Sequence, residues 1–220
     1  CSKKWDIKLK EETDMLFNIL ALISLLTALL LLKTLVGIFP SLLACMIRWK
    51  ESVNLDASVQ LSRDRDITAL VLIIPFCLTV TRFNLYAPSF MEPFNQNGRI
   101  GIILGIFILF ILLRTFIERI LRKNKINQKT YKTACKSSYS FFSILTLLLL
   151  MTGGILSFID VAPEVIRNAM LWISATIYGL SLLRKTQILA SGSSFFTGFL
   201  YLCALEIIPT GALVASAIIF

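Results

Sequence analysis

Ile100-Gly-Ile-Ile-Leu-Gly-Ile-Phe-Ile-Leu-Phe-Ile-Leu-Leu113 runs for fourteen residues without a polar side chain. A helix of that composition offers water no polar face, so its solvent is lipid or the interior of a bundle. Ile144–Met151 repeats the pattern with one small hydroxyl residue, Thr146. Across the 220 residues, 56% are apolar and 16% charged, with a mean hydropathy of +0.79. A soluble domain carries charge at about a quarter of its positions. The chain is therefore read as an all-α, polytopic membrane helix bundle. There is no histidine, which removes His-based triads, His-ligated zinc and imidazole proton switches.

Crossing a hydrocarbon core of about 30 Å takes roughly 20 mostly apolar helical residues. Six stretches approach that length: Met15–Leu35, Ile67–Phe83, Arg99–Ile117, Ser138–Ile159, Glu164–Leu183 and Phe195–Ile219. Residues 36–47 extend the first span as an interfacial helix that runs on, or bends, near Gly37–Pro40. Pro75 predicts a kink in the second span. The whole of 1–220 reads as one transmembrane helical domain, and the two longest polar connections, Arg48–Asp66 and Glu118–Ser137, are too short and polar to hold a core of their own.

Lysine and arginine set the orientation, because cytoplasmic loops retain them. Arg48, Lys50, Arg63 and Arg65 lie in one connection. Arg119, Arg122, Lys123, Lys125, Lys129, Lys132 and Lys136 lie in the next, against the single acid Glu118, and Arg184 and Lys185 begin the last. The alternate connections, Asn84–Gly98 and Asp160–Pro163, are the poor ones: the first holds no Lys or Arg before its helix begins at Arg99, and the second holds none. Both termini are expected outside the cytoplasm, although Lys3, Lys4, Lys8 and Lys10 argue the other way beside Asp6, Glu11, Glu12 and Asp14. Most of the net charge of +9 sits in the loop from Arg119 to Lys136. Anionic headgroups are its expected partner. With Tyr131 as its one aromatic it offers no stacking platform, so no specific nucleic acid is expected.

Five cysteines occur, Cys1, Cys45, Cys77, Cys135 and Cys203, with no CxxC spacing. The last four are read as packing residues. Cys1 opens the chain as given, and two readings stand: a lipid-carrying N-terminal cysteine of the lipoprotein kind, or a start cut from a longer chain.

Charges near span ends snorkel, which accounts for Lys33, Arg82, Arg99, Arg114, Arg167 and Arg184. Glu206 does not fit that account. Counted from Phe195 it lies about 18 Å into the last span, near the midplane, with no basic residue expected at its depth. Two alternatives stay open. Its carboxyl is protonated and bonded to a hydroxyl such as Ser24, Thr27, Ser174 or Tyr178, or it faces a water-filled cavity that moves protons or ions. Gly101-xxx-Gly105, Gly153–Gly154 and Gly211-xxx-Ala215 are small-residue faces that allow close helix packing. Ser191-Gly-Ser-Ser194 reads as the cap of the last helix. No catalytic constellation, metal cluster or cofactor motif is found.

Leu182-Leu-Arg-Lys-Thr-Gln-Ile-Leu-Ala-Ser-Gly-Ser-Ser-Phe-Phe196 and Phe199-Leu-Tyr-Leu-Cys-Ala-Leu-Glu-Ile-Ile-Pro209 together resemble the C-terminal signature of an uncharacterised multi-pass family of Bacteroidota, the domain of unknown function numbered 4271. The likeness extends to Ser62-Arg-Asp-Arg65 and the spacing of the helices. It implies a bacterial inner-membrane location and six helices, and it supplies no activity. It does draw Tyr201, Glu206 and Pro209 into one candidate site. The functional expectation is a non-enzymatic accessory subunit of a larger membrane complex, in envelope biogenesis or protein export. The alternative is a small transporter or channel using Glu206.

Overall fold

A computed structural model of the chain describes residues 18–23, 26–27, 29, 32–86, 88, 91, 94, 96–121, 128–192 and 195–219. No strand occurs among them. The elements are α1 (Leu32–Ile47), α2 (Trp49–Ala57), α3 (Val59–Val71), α4 (Ile73–Arg82), α5 (Gln96–Leu121), α6 (Gln128–Phe158) and α7 (Pro163–Gly192). The last helix comes in three pieces: α8 (Phe195–Leu202), a π-helical turn (Cys203–Ile207) and α9 (Ile208–Ile219).

Among the described residues, four helical stretches are long and apolar enough to cross a membrane: Gly98–Ile120, Thr130–Phe158, Pro163–Gly192 and Gly198–Ser216. They match the third to sixth expected spans; the first three of them run longer than expected, and the last is shorter. The connections expected as polar loops are largely helical: α2 and α3 fill Arg48–Asp66, and α5 and α6 extend into Glu118–Ser137. The first expected span lies partly outside the described residues, and its continuation Lys33–Ile47 is a shorter apolar helix. The residues of the second expected span fall in α3 and α4, which meet at Leu72; neither helix is among the four. Pro75 explains the break, since its ring crowds the carbonyl four residues earlier, at Val71. Pro40, by contrast, sits inside α1 without ending it. The helix stops instead at Arg48, whose backbone is extended (φ −131°, ψ 118°).

The α6–α7 hairpin is the spine. Its turn needs one left-handed residue, Asp160 (φ 59°). Gly153 lets the two helices and α4 close up: a Cβ there would stand 2.7 Å from Met170 Cε and 2.9 Å from Phe83 Cε2. Small hydroxyl residues line the buried face of α6, including Ser137, Ser140, Ser143 and Thr146. Several return their O–H to their own helix, as in Ser143 to Tyr139 and Thr146 to Phe142, so they pack like alanines without stranding a donor. On α1, Ile38 and Leu42 are one turn apart and join Phe141, Ile144 and Ile177 in one core. Phe76, Phe107 and Phe142 meet at ring-centroid separations of 5.2 to 5.6 Å, tying α4 and α5 to α6.

Gly101, Gly105, Gly154 and Gly211 have nothing within 4 Å of an added Cβ. Of the glycines expected to pack, only Gly153 packs inside the chain. Internal close approaches that the expected packing faces did not include are Gly98 against Phe94, Gly192 against Thr130 and Gly198 against Leu189 among the described residues.

Candidate functional site

Glu206 lies in the π-helical turn, and Pro209 explains why the turn is there. Proline has no N–H for the carbonyl of Leu205, and its ring crowds that carbonyl. The chain opens just before it, and the N–H of Ile208 reaches back five residues to the carbonyl of Cys203. Turns of this kind widen a helix and re-aim side chains.

The re-aimed carboxyl meets two cations. Its Oε1 is 2.6 Å from Lys185 Nζ and 2.8 Å from Arg114 Nη2. The Arg114 guanidinium also donates to Ser138 Oγ and to the carbonyl of Cys135, and Ser138 Oγ donates to Glu206 Oε1 at 3.5 Å. Tyr178 Oη donates to the backbone carbonyl of Glu206 at 3.2 Å. Lys185 is 4% exposed and the Glu206 side chain 9%. One carboxylate thus joins α5, α6, α7 and the last helix. Removing a partner from so buried a pair leaves an uncompensated charge, at a cost of about 3–5 kcal/mol.

Two expectations about Glu206 are corrected here. Basic residues do share its level, and Ser174 bonds Met170 on its own helix instead. Thr27 donates to Ile23, Tyr178 reaches the backbone and not the carboxyl, and Ser24 lies outside the described residues. Position along the helices differs from one to the next: Glu206 stands near the middle of Gly198–Ser216, whereas Ser138 and Lys185, which meet its carboxyl, stand about twenty residues or roughly 30 Å from Phe158 and Pro163, toward the ends of their helices nearer Arg119 and Lys132.

Lys185 was the residue most hidden in the sequence. Ending the fifth span at Leu183 assigned it to a loop, but α7 continues to Gly192. Extending the helical period from Ile177 and Ser181 would have placed it on the buried stripe with Ile188. Cys135, likewise expected in a loop, faces this site from α6. A cavity of about 10 Å³, room for a single water, is lined by Tyr131, Cys135, Lys185, Leu205 and Glu206 among others. Tyr201 packs edge-on against Tyr131, with ring centroids 5.8 Å apart, beside the residues that line the site.

A second charge cluster lies across α6. Arg65 is 1% exposed. It donates to Asp56 Oδ1 at 2.9 Å, to Asp66 Oδ1 at 2.9 and 3.0 Å, and to Ser62 Oγ at 3.2 Å. Lys136 of α6 donates to Ser62 Oγ at 3.1 Å and stands 3.6 Å from Asp66 Oδ2. Arg184, expected to snorkel, caps a neighbouring helix: it donates to the carbonyls of Met46 and Ile47 at 2.8 and 2.7 Å, the open C-terminal end of α1.

Of the basic-loop residues, Arg119 and Lys132 are exposed and Lys136 joins the Arg65 cluster. Arg122, Lys123 and Lys125 lie outside the described residues, as do the side chain of Lys129 and the whole of Cys1. Cys45, Cys77, Cys135 and Cys203 are free thiols. Of the expected cap Ser191–Ser194, Ser191 and Gly192 end α7, the Ser191 hydroxyl donating back to the carbonyl of Ile188, and Ser193 and Ser194 lie outside the described residues.

The three stretches that carried the family resemblance supply Arg65, Lys185 and Glu206, the centres of the two clusters. No curated protein and no solved structure matches the chain. One family model does, over residues 16–216. On that match, which covers nearly all of the sequence, the chain belongs to the family described as domain of unknown function (DUF4271).

Proposed function

We propose that the chain is a non-enzymatic, multi-pass accessory subunit of a larger membrane complex, and that the exposed face of α5 docks its partner. One observation carries this reading. α5 is the most apolar of the four candidate spans, with a window hydropathy of 2.7, and 11% of that window is buried within the chain, against 33% for α6. Gly101 and Gly105 share its exposed face, with nothing within 4 Å of an added Cβ. Each glycine weakens a helix by about 1 kcal/mol relative to alanine, and neither gains an internal contact in return. A partner helix that approaches closely there supplies one.

In this reading six helices cross a bacterial inner membrane, α3 and α4 forming the second crossing and the first lying near residues 15–35. The basic end, with Arg119, Lys132 and Lys136, faces the cytoplasm and anionic headgroups, and both termini lie outside. The transporter reading rested on a carboxyl without a cation. Its pairing with Arg114 and Lys185 withdraws that support, and favours a role for Glu206 in holding four helices together.

The test is purification in a gentle detergent, followed by size analysis and identification of stoichiometric companions, for the parent chain and for Gly105→Leu. The expected result is a stoichiometric hetero-complex for the parent and its loss in the variant, with the thermal stability of the subunit unchanged. A parent that purifies alone, or a variant that keeps its companions, overturns the proposal.

A further inference from the structure

We propose that the last helix has two registers, and that the ion pair of Glu206 with Arg114 and Lys185 selects the π-helical one. The inference stands on the geometry of the turn and does not depend on the accessory-subunit reading.

A π-helical turn holds one residue more than the α-helical turn it replaces. Its hydrogen bonds alone do not favour it, since such turns are rare and appear as isolated bulges. Pro209 opens the helix at this point, but proline alone does not fix the register, as Pro40 sits inside α1 without interrupting it. The side-chain contacts that hold the turn come from other helices: Arg114 from α5, Ser138 from α6, and Lys185 and Tyr178 from α7. Tyr178 serves the backbone of the turn itself, donating to the carbonyl of Glu206. With the charge on Glu206 gone, the strongest of these contacts vanish and the ordinary α register is the competitor.

The segment beyond the turn is free to follow. α9 packs chiefly on α5 and on the turn. Ala212 and Val214 are exposed, and space is open around Gly211. Shedding the extra residue rotates α9 by about 100° and moves it about 1.5 Å along its axis, one residue's share of a helix. Gly211 and Ala215 then present their small-residue face in a new direction.

One contact reports the register. Tyr86 Oη and Ser216 Oγ are hydrogen-bonded at 2.7 Å across the bundle. In the α register each position past the turn is taken by the residue before it, so Ala215 stands where Ser216 stood. The experiment pairs Tyr86→Cys with Ser216→Cys or with Ala215→Cys. It uses the full chain in membranes with the native cysteines replaced, and reads cross-linking by a short bifunctional thiosulfonate. The parent is expected to cross-link through position 216. Glu206→Gln is expected to move the preference to 215, changing the 216:215 ratio about tenfold or more, as befits loss of a buried charge pair. Deletion of Ala204 removes the extra residue and is expected to hold the preference at 216 whether residue 206 is Glu or Gln. Should Glu206→Gln fail to accumulate, Tyr178→Phe takes its place, with a smaller shift in the same direction. A preference that stays at 216 in Glu206→Gln, or in Tyr178→Phe where that is the variant read, overturns the proposal. So does a parent that prefers 215.

Discussion

The two charge clusters on either side of α6 are near mirror images in sign. At one, a carboxylate, Glu206, is held between Lys185 and Arg114. At the other, a guanidinium, Arg65, is held between Asp56 and Asp66. Both engage the same turn of α6, through Cys135 and Ser138 on one side and Lys136 on the other. They differ in backbone and in access to water. Arg65 projects from a regular α-helix, and its partners Asp56 and Asp66 are 13% and 39% exposed. Glu206 projects from an irregular turn, and its partners Lys185 and Arg114 are 4% and 18% exposed. A buried charge whose partner can hydrate has an escape when the pair is broken; one whose partner is equally buried has none.

That difference orders the expected effects of mutation. The largest belongs to Glu206→Ala, which strands Lys185 inside the bundle. Its cost is about 3–5 kcal/mol, measured as lost thermal stability in detergent and lower accumulation in membranes. A loss under 1 kcal/mol would mean that Lys185 finds water or another partner, and the contrast between the clusters would collapse. Arg65→Met comes next, at about 2–4 kcal/mol, because it removes a fully buried side chain but leaves aspartates that hydrate in part. Equal losses for the two variants would show that exposure of the partner does not decide the matter. The smallest effect is expected for Lys136→Ala. Its pair with Asp66 is partly exposed on both sides, so about 0–1 kcal/mol is at stake, and added salt should shrink the difference from the parent. A loss as large as that of Arg65→Met would make Lys136 a full member of the second cluster.

The comparison also shows what the sequence could and could not disclose. Arg65 and Lys185 were both assigned to polar connections, because lysine and arginine near span ends are most often topology signals. Both instead continue the buried stripe of a helix that runs past its expected end: Ser62, Arg65, Ala69 and Leu72 on one, Ile177, Ser181, Lys185 and Ile188 on the other. The period of 3.6 residues carried that information, and a hydropathy threshold discarded it. The glycines went the other way. Their spacing marked faces where a helix can approach, but nothing local distinguishes Gly153, against which Met170 and Phe83 close, from Gly101 and Gly105, which stay open.

Composition and apolar run lengths by themselves determined that the chain is an all-α bundle suited to a membrane, because backbone groups in lipid must be satisfied within each helix and such helices need a minimum length. They also singled out Glu206, since a carboxyl in an apolar run has to be compensated. The tertiary structure alone decided how. Arg114, Lys185 and Glu206 come from three helices, and their meeting depends on helix rotation, on where each helix ends, and on a π-helical turn that contacts from neighbouring helices hold. None of these is a property of a segment read alone, because packing sets the angle at which each stripe faces its neighbours.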